Sequence, residues 1–405
     1  MKNANNNSMK RRYFLAATCL ATCAAFAVAA GSRAQAEDSV KIGFILPMTG
    51  QQQSTGKQEA AAAKLFLSQN GDTVAGKKIE LIIKDDAAVP DNTKRIAQDL
   101  LVNDKVTFLA GFGITPAAMA VAPLATEAKT PEVVTAAGTS IITEKSPYIV
   151  RTSFTLAQSS VPMADWAAAN GIKKVVTMVS DYAPGHDAEA SFAKEFTAKG
   201  GEIPDHITFP LANPDFAPFL QKAADDKPDA IFVFVPSGQG GAFVKQFVDK
   251  GLDKAGIKII GPGDVTDDDL VNGMGDPIIG TITAHIYSAD HPSAANKAFV
   301  AAFEKANNGM RPNFMAVGAY DGMHLMYAAL DKAGGKTDGD SLVAAMKGMA
   351  WESPRGPISI DPDTRDIIQN VYIRKVERKN GALYNVEFAT IPSVKDPIKA
   401  AEPPK

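Results

Sequence analysis

The sequence predicts an α/β protein with parallel sheets arranged in two similar lobes. Three features carry that expectation. From Val40 onward, short apolar runs alternate with longer helical segments, the pattern of parallel strands covered by helices on both faces. The rhythm starts over near residue 155, as though one unit were repeated. Two apolar runs, 106–110 and 131–134, each end in small and hydroxyl-bearing residues: Gly111-Phe112-Gly113-Ile114-Thr115-Pro116 and Thr135-Ala136-Ala137-Gly138-Thr139-Ser140. Such turns at the carboxyl ends of adjacent strands suit an anion, because the first N–H groups of a helix lack intrahelical partners and its dipole favours negative charge. Thr115 is positioned to cap the helix that follows and to meet a ligand oxygen. Ordinary β-to-α turns look the same one at a time; two side by side point to a ligand cradle.

Taken in order, 41–46 reads as a strand, 47–56 as a loop and 57–70 as a helix. A strand over 79–84 and a helix over 92–103 lead into the first turn, whose helix runs 116–128. The segment 149–152 is a short strand running into Ser153-Phe154-Thr155. The second series has helix 160–170, strand 174–179, helix 185–199, strand 202–208, helix 216–225, strand 230–235, helix 241–250 and strand 258–260. The tail differs: helices over 294–307, 315–333 and 341–349 precede strands over 357–360 and 367–379. Asn380-Gly381 is a hairpin signal, and 400–405 is a loose proline-rich end.

The first 36 residues read as a cleavable export signal. Lys10-Arg11-Arg12 is the charged region, 14–30 the alanine-rich apolar region, and Ala34-Gln35-Ala36 the small-x-small cleavage pattern. Arg11-Arg12-Tyr13-Phe14-Leu15 also resembles the twin-arginine pattern. The apolar run is short for a membrane anchor, so no span is expected in the mature chain. Cys19 and Cys23 are the only cysteines and both lie in this segment, which leaves the mature chain without disulfide, thiol nucleophile or thiolate metal site. The segment also holds five basic residues and no acid; without it, 37 basic residues face 45 acidic ones, a net charge of −8. That balance argues against nucleic acid as a partner.

Catalytic chemistry finds little support. No G-x-S-x-G occurs, and the five histidines show no spacing of a triad or a metal site. Asp85-Asp86 at a strand end and Asp267-Asp268-Asp269 at an expected helix start fit capping better than a divalent metal. Ser237-Gly238-Gln239-Gly240-Gly241 has the wrong glycine spacing for a dinucleotide loop, so no cofactor is expected. Tyr182-Ala183-Pro184-Gly185 follows a strand and is a candidate to place a ring in a cleft.

With the export signal, the Pro47-Met48-Thr49-Gly50 loop, the two turns, Ser180-Asp181-Tyr182 and Ile260-Gly261-Pro262-Gly263-Asp264 in view, the chain resembles leucine/isoleucine/valine-type periplasmic solute-binding proteins of ABC importers over roughly residues 39–390. The resemblance implies a type I periplasmic-binding-protein fold: two doubly wound Rossmann-like lobes joined by three crossovers, near Phe154, near 284–287 and near 351–356. It implies an N-terminal lobe of 39–154 plus 287–352 and a C-terminal lobe of 155–284 plus 356–392, after a signal peptide of 1–36. The ligand then lies between the lobes, at the carboxyl ends of the strands. Its carboxylate falls on Thr115, Ala137 and Thr139, with Thr55 as a wall and Tyr182, Pro236 and Ser237 as contacts from the second lobe. The place of the acid that pairs a ligand ammonium carries Gly263, with Asp264 one residue later.

An unpaired buried ammonium costs several kcal/mol, so loss of that acid favours a ligand without one. Phe112, Ile114, Tyr182 and Pro236 suit a flat ring. The expected function is an extracytoplasmic, monomeric, non-enzymatic receptor that passes an aromatic or apolar carboxylic acid to a membrane permease. Branched-chain amino acids are the alternative ligands; an enzyme or a ligand-sensing regulator are the other classes.

Overall fold

The structure, a computed structural model, describes residues 39–401. Strand β1 (Val40–Leu46) leads into helix α1 (Gln53–Asn70), the short β2 (Thr73–Val74), β3 (Lys77–Asp85) and α2 (Pro90–Asp99), which runs on into a π-helical turn, Leu100–Asp104. Then come β4 (Phe108–Gly111), α3 (Thr115–Ala128), β5 (Glu132–Val134) and β6 (Ile149–Arg151). These strands form a six-stranded sheet in the order β2-β3-β1-β4-β5-β6, parallel except for β2. All four residues of β4 are buried, as expected of a parallel strand covered on both faces.

The second series repeats that winding. It comprises α4 (Leu156–Ala169), β7 (Val175–Ser180), α5 (Ala183–Ala198), β8 (His206–Phe209), α6 (Ala217–Asp225), β9 (Ala230–Phe234), α7 (Gly240–Asp249), β10 (Lys258–Pro262) and β11 (Ile282–His285). In the first sheet β3-β1-β4-β5 lie side by side, and in the second β8-β7-β9-β10 take the same relative places. Each lobe therefore has a strand-order reversal, and the crevice outside the carboxyl ends at that point is where such folds bind ligands.

After β11 the chain returns to the first lobe: α8 (Ala294–Ala306) and α9 (Phe314–Lys332) pack against α1, and α10 (Gly339–Met346) against α9. It then crosses to the second sheet as β12 (Ala350–Ser353), β13 (Gly356–Ile360), β14 (Ile367–Lys379) and β15 (Ala382–Val394), with α11 (Pro397–Ala400) last. Asn380 (φ 52°) and Gly381 (φ 85°) form the tight turn of the β14–β15 hairpin, since both central residues need positive φ. Buried Arg355 ties the first and third crossings to α9, donating to the Asp321 carboxylate (2.7 Å), the Thr152 carbonyl (2.6 Å) and the Ser153 carbonyl (3.0 Å).

Several elements differ from the sequence expectation. Helix α1 begins at Gln53 rather than at 57, because Gly56 packs directly on the preceding loop; a Cβ there would stand 2.3 Å from the Pro47 carbonyl oxygen. Helix α4 begins at Leu156 rather than at 160, since Thr155 and Gln158 make a reciprocal capping box. The strand expected over 202–208 is confined to His206–Phe209, with Glu202 making a lone bridge to Lys174. Strands β11 and β12 occupy stretches expected as crossovers. Asp267-Asp268-Asp269 opens no α-helix; a 3-10 turn, Val271–Met274, follows it. The export signal, including Arg11-Arg12 and the two cysteines, and the last four residues of the tail lie outside the described residues. Among those described, no helix is long and apolar enough to cross a membrane.

Candidate functional site

A narrow cleft lies between the carboxyl ends of the two sheets. The first lobe contributes Gly113, Ile114 and Thr115 from the turn after β4, and Ala136, Ala137 and Gly138 from the turn after β5. The second lobe contributes Tyr182, Pro184, Phe234, Pro236, Ser237 and Asp264. Phe154 and Leu156 at the first crossing, Met315 at the start of α9 and Gln52 before α1 complete the lining.

The two first-lobe turns are locked to each other. Thr115 and Thr139 share a hydroxyl–hydroxyl hydrogen bond of 2.9 Å, and the Ala137 N–H donates to the Phe112 carbonyl at 3.1 Å. Behind them lies Arg151, wholly buried, whose guanidinium donates to the carbonyls of Thr139 (2.7 Å), Phe154 (2.8 Å) and Ala137 (3.3 Å). Its Nε stands 2.9 Å from Asp366, so the cation is paired on its far side. The buried cation thus fixes the carbonyls of this turn, while the Ala137 N–H is held by Phe112 and the Ser140 N–H by the Asp187 carboxylate. Ile114, the residue before α3, offers no side-chain cap, which leaves that helix start to other acceptors. Neutral donors and N–H groups of this kind bind a carboxylate without a buried counter-cation in contact.

Beneath the second turn sits Glu59 of α1, hydrogen-bonded by the Thr135 hydroxyl. Burial pushes its carboxyl up to about 8, with the Thr135 hydrogen bond pulling the other way and Asp86 adding to the rise. Below that pH it is protonated and puts no negative charge under the turns.

The second-lobe wall is mostly apolar. Tyr182 stacks on Phe234 with ring centroids 6.1 Å apart and planes within 21°. Burial, then the nearby Asp264 carboxyl, pushes the Tyr182 hydroxyl far up, so it stays neutral. Ser237 donates its hydroxyl to Asp267 (2.6 Å), which also accepts from the Gly238 N–H (2.9 Å) and so fixes the loop after β9. Burial raises the Asp267 carboxyl well above its ordinary value, and Asp269 adds to that. Asp264 is only 3% exposed, and burial lifts its carboxyl to about 7 against the pull of Arg374.

Gly263 has no room for a side chain. A Cβ there would stand 1.9 Å from an Arg374 guanidinium nitrogen and 2.7 Å from His285. That guanidinium donates to the Gly263 carbonyl (3.3 Å) and pairs with Asp268 at 3.5 Å. An ammonium-pairing acid is thus excluded sterically from this position, and a buried cation occupies the space behind it.

Of the residues expected at the site, Thr115, Ala137, Tyr182, Pro236, Ser237 and Asp264 line the cavity together, and Thr55, Phe112 and Thr139 do not. Thr55 falls inside α1 because that helix starts early; it is buried beneath Gly113, and Gln52 takes the place expected of it. Phe112 has φ 71°, which breaks the strand alternation and turns its ring into a core cluster with Val121, Ala122 and Ile142. Thr139 stands one step behind the wall, where it anchors Thr115. Thr115 is the first residue of α3 and not its cap. Gln52, Phe234, Met315 and the supporting Arg151 and Glu59 were not singled out; nothing in their local sequence separates them from ordinary core and helix residues. Among the described residues, no cluster of His, Cys, Asp or Glu is placed to hold a metal ion.

Two doubly wound lobes, joined by three crossings and enclosing one polar-ended, apolar-walled cavity, define a two-lobed receptor for a small solute. The chain belongs to the periplasmic binding protein family, whose model matches residues 39–382. A crystal structure of an ABC transporter solute-binding protein from Rhodopseudomonas palustris BisB5, in complex with 3,4-dihydroxybenzoic acid, is 70% identical and superposes with a TM-score of 0.88, covering 90% of this chain and 100% of that one. A second R. palustris solute-binding protein, in complex with 4-hydroxybenzoate, is 42% identical with the same TM-score and coverage. A Leu/Ile/Val-binding protein homolog of Brucella abortus is 42% identical over 382 residues, 93% of this chain and 97% of its own length.

Proposed function

We propose that this protein is an exported receptor that captures an aromatic carboxylic acid between its lobes and delivers it to the permease of an ABC importer. The observation that carries this reading is the wall of the cavity. Phe154, Tyr182, Phe234 and Met315 enclose it, and no acid fits at Gly263. The acid beside it, Asp264, is raised to about 7 by burial and already faces the Arg374 cation, which makes it a poor partner for a ligand ammonium. The carboxylate end is assigned to the Thr115 hydroxyl, the open start of α3 and Gly138, with Ala137 as an apolar wall beside them, and the ring to the space between Phe154, Tyr182, Phe234 and Met315. The hydroxybenzoate complexes of two relatives support the same ligand class. Members of this family act in solute transport, and no step of chemistry on the ligand is assigned to any residue. The lobes are taken as 39–154 plus 287–349 and 155–284 plus 350–394, the expected boundaries at 352, 356 and 392 moving because β12 lies in the second sheet and β15 runs to Val394. The receptor is taken as a monomer, and residues 1–36 as its export signal, of twin-arginine pattern.

Calorimetric titration with 4-hydroxybenzoate and benzoate beside leucine and phenylalanine tests the ligand class. The aromatic acids should bind and the amino acids should not, and Thr115→Val should weaken the acids about tenfold by removing one hydroxyl from the carboxylate end. Tight leucine binding with no response to either aromatic acid would refute the reading.

A further inference from the structure

A buried carboxyl oxygen on the cavity wall has no partner among the described residues. Asp264 is buried to all but 3%, and its Oδ2 makes no hydrogen bond, although the residue faces the space that Tyr182, Phe234 and Pro236 otherwise make apolar. A buried carboxyl oxygen left unsatisfied costs free energy, so such a group aimed into a binding cavity is normally completed by what binds there. Asp264 follows β10 in the second lobe, whereas Thr115 and Ala137 follow β4 and β5 in the first. A ligand whose carboxylate is held by the first-lobe turns therefore turns its far end toward Asp264.

We propose that Asp264 is a specificity-determining residue that binds a hydroxyl at the 3- or 4-position of the ligand's aromatic ring, so that the protein selects hydroxylated rings over unsubstituted ones. The inference rests on the aromatic-carboxylate reading and adds to it the group that reads the ring's substituents. A hydroxyl at the 2-position lies beside the ligand's own carboxylate, at the other end of the ring, and gains nothing from Asp264. The pairing tolerates either protonation state. An ionised carboxylate accepts from the phenolic O–H, and a protonated one donates to the phenolic oxygen while its other oxygen still accepts. An amino acid is a poorer match. Its ammonium sits on the carbon that bears the carboxylate, and the charged group flanking Asp264 is the Arg374 cation.

The test is calorimetric titration of the purified protein with benzoate and its 2-hydroxy, 3-hydroxy, 4-hydroxy and 3,4-dihydroxy derivatives. The 4-hydroxy and 3,4-dihydroxy acids should bind about 10- to 100-fold more tightly than benzoate, with the 3-hydroxy acid also favoured and the 2-hydroxy acid level with benzoate. In Asp264→Ala the ratio of the 4-hydroxybenzoate and benzoate constants should fall to within about threefold. Asp264→Asn, isosteric and still able to hydrogen-bond, should retain part of the ratio. A wild-type ratio near one, or a full ratio persisting in Asp264→Ala, would overturn the assignment while leaving an aromatic-acid receptor in place. Failure of every aromatic acid to bind, with leucine binding instead, would remove the ligand reading and this inference together.

Discussion

Glu59 shows how one residue couples the site to the stability of the molecule. Its carboxyl ionises near 4.5 in an unfolded chain but is pushed up to about 8 by burial in the folded one. The folded state thus holds an extra proton between those values. The stability this group contributes is complete below its unfolded value and is lost as pH rises through about 8, at about 1.4 kcal/mol per pH unit. Buried His285, held well below its ordinary value by burial and by Arg374 and Arg355, acts in the opposite sense, but only where an unfolded histidine would be protonated, below about pH 6.5. Chemical denaturation between pH 6.5 and 8.5 should therefore show wild-type stability falling with pH. Glu59→Gln should make that fall shallower by up to about 1.4 kcal/mol per pH unit, leaving the part due to Glu132, Asp264 and Asp267, whose carboxyls burial also raises. An equal slope in the variant would contradict the assignment. Glu59 was not legible as a buried acid, because it stands in an alanine-rich helix beside lysines and its burial depends on Thr135, which lies 76 residues away. Asp264 was legible through its place after Gly-Pro-Gly, but its orphaned oxygen was not. Arg374, which excludes a side chain at Gly263, acts from 111 residues away.

Between elements, one of the contacts that join the lobes at the cleft is made by Asp269. It accepts from the Ser54 hydroxyl in α1 (2.9 Å) and from the Asn313 side-chain amide at the start of α9 (3.0 Å). Both donors belong to the first lobe, and Asp269 follows β10 of the second. The Asp187 carboxylate of α5 makes a similar bridge to the Ser140 N–H at 2.9 Å. Two hydrogen bonds to one carboxylate bias the closed arrangement by about 1–2 kcal/mol net. Asp269→Ala should accordingly increase the ligand-free radius of gyration in small-angle scattering and weaken 4-hydroxybenzoate binding about 5- to 30-fold, with saturating ligand restoring the compact radius. An unchanged radius together with unchanged affinity would show that Asp269 does not latch the cleft. At this scale the sequence was informative for long periodic segments. The hairpin at Asn380-Gly381 and strand β14 occur where the pattern puts them. It was uninformative where tertiary contacts set the boundary: α1 starts early against Pro47, and β11, only four residues long, is stabilised by its neighbours β10 and β14. The acidic run 267–269 read as a helix start because capping and interlobe bridging use the same residue types.

For the molecule as a whole, the repeat of one winding in two lobes was legible because helix–strand alternation survives without any knowledge of contacts, and its restart near residue 155 marks the first crossing. The polar end of the cavity was legible for the same reason, since small residues and hydroxyls after apolar strands are a local signal. The apolar end was legible only in Ile114, Tyr182 and Pro236; Phe154, Phe234 and Met315 were not, because they come from three separate parts of the chain and meet only in the fold. Buried Arg355, which joins Thr152, Ser153 and Asp321, holds the first and third crossings to α9, which makes the crossings the place about which a hinge of this fold would turn. Ligand capture then shifts the population toward the closed arrangement by as much as the ligand's differential affinity for it. Equilibrium dialysis of the protein with labelled 4-hydroxybenzoate, alone and against excess leucine, tests this account most directly. It predicts one molecule bound per chain, retained in the presence of leucine and displaced by 3,4-dihydroxybenzoate. Loss of the label to leucine, with leucine itself bound in its place, would contradict it.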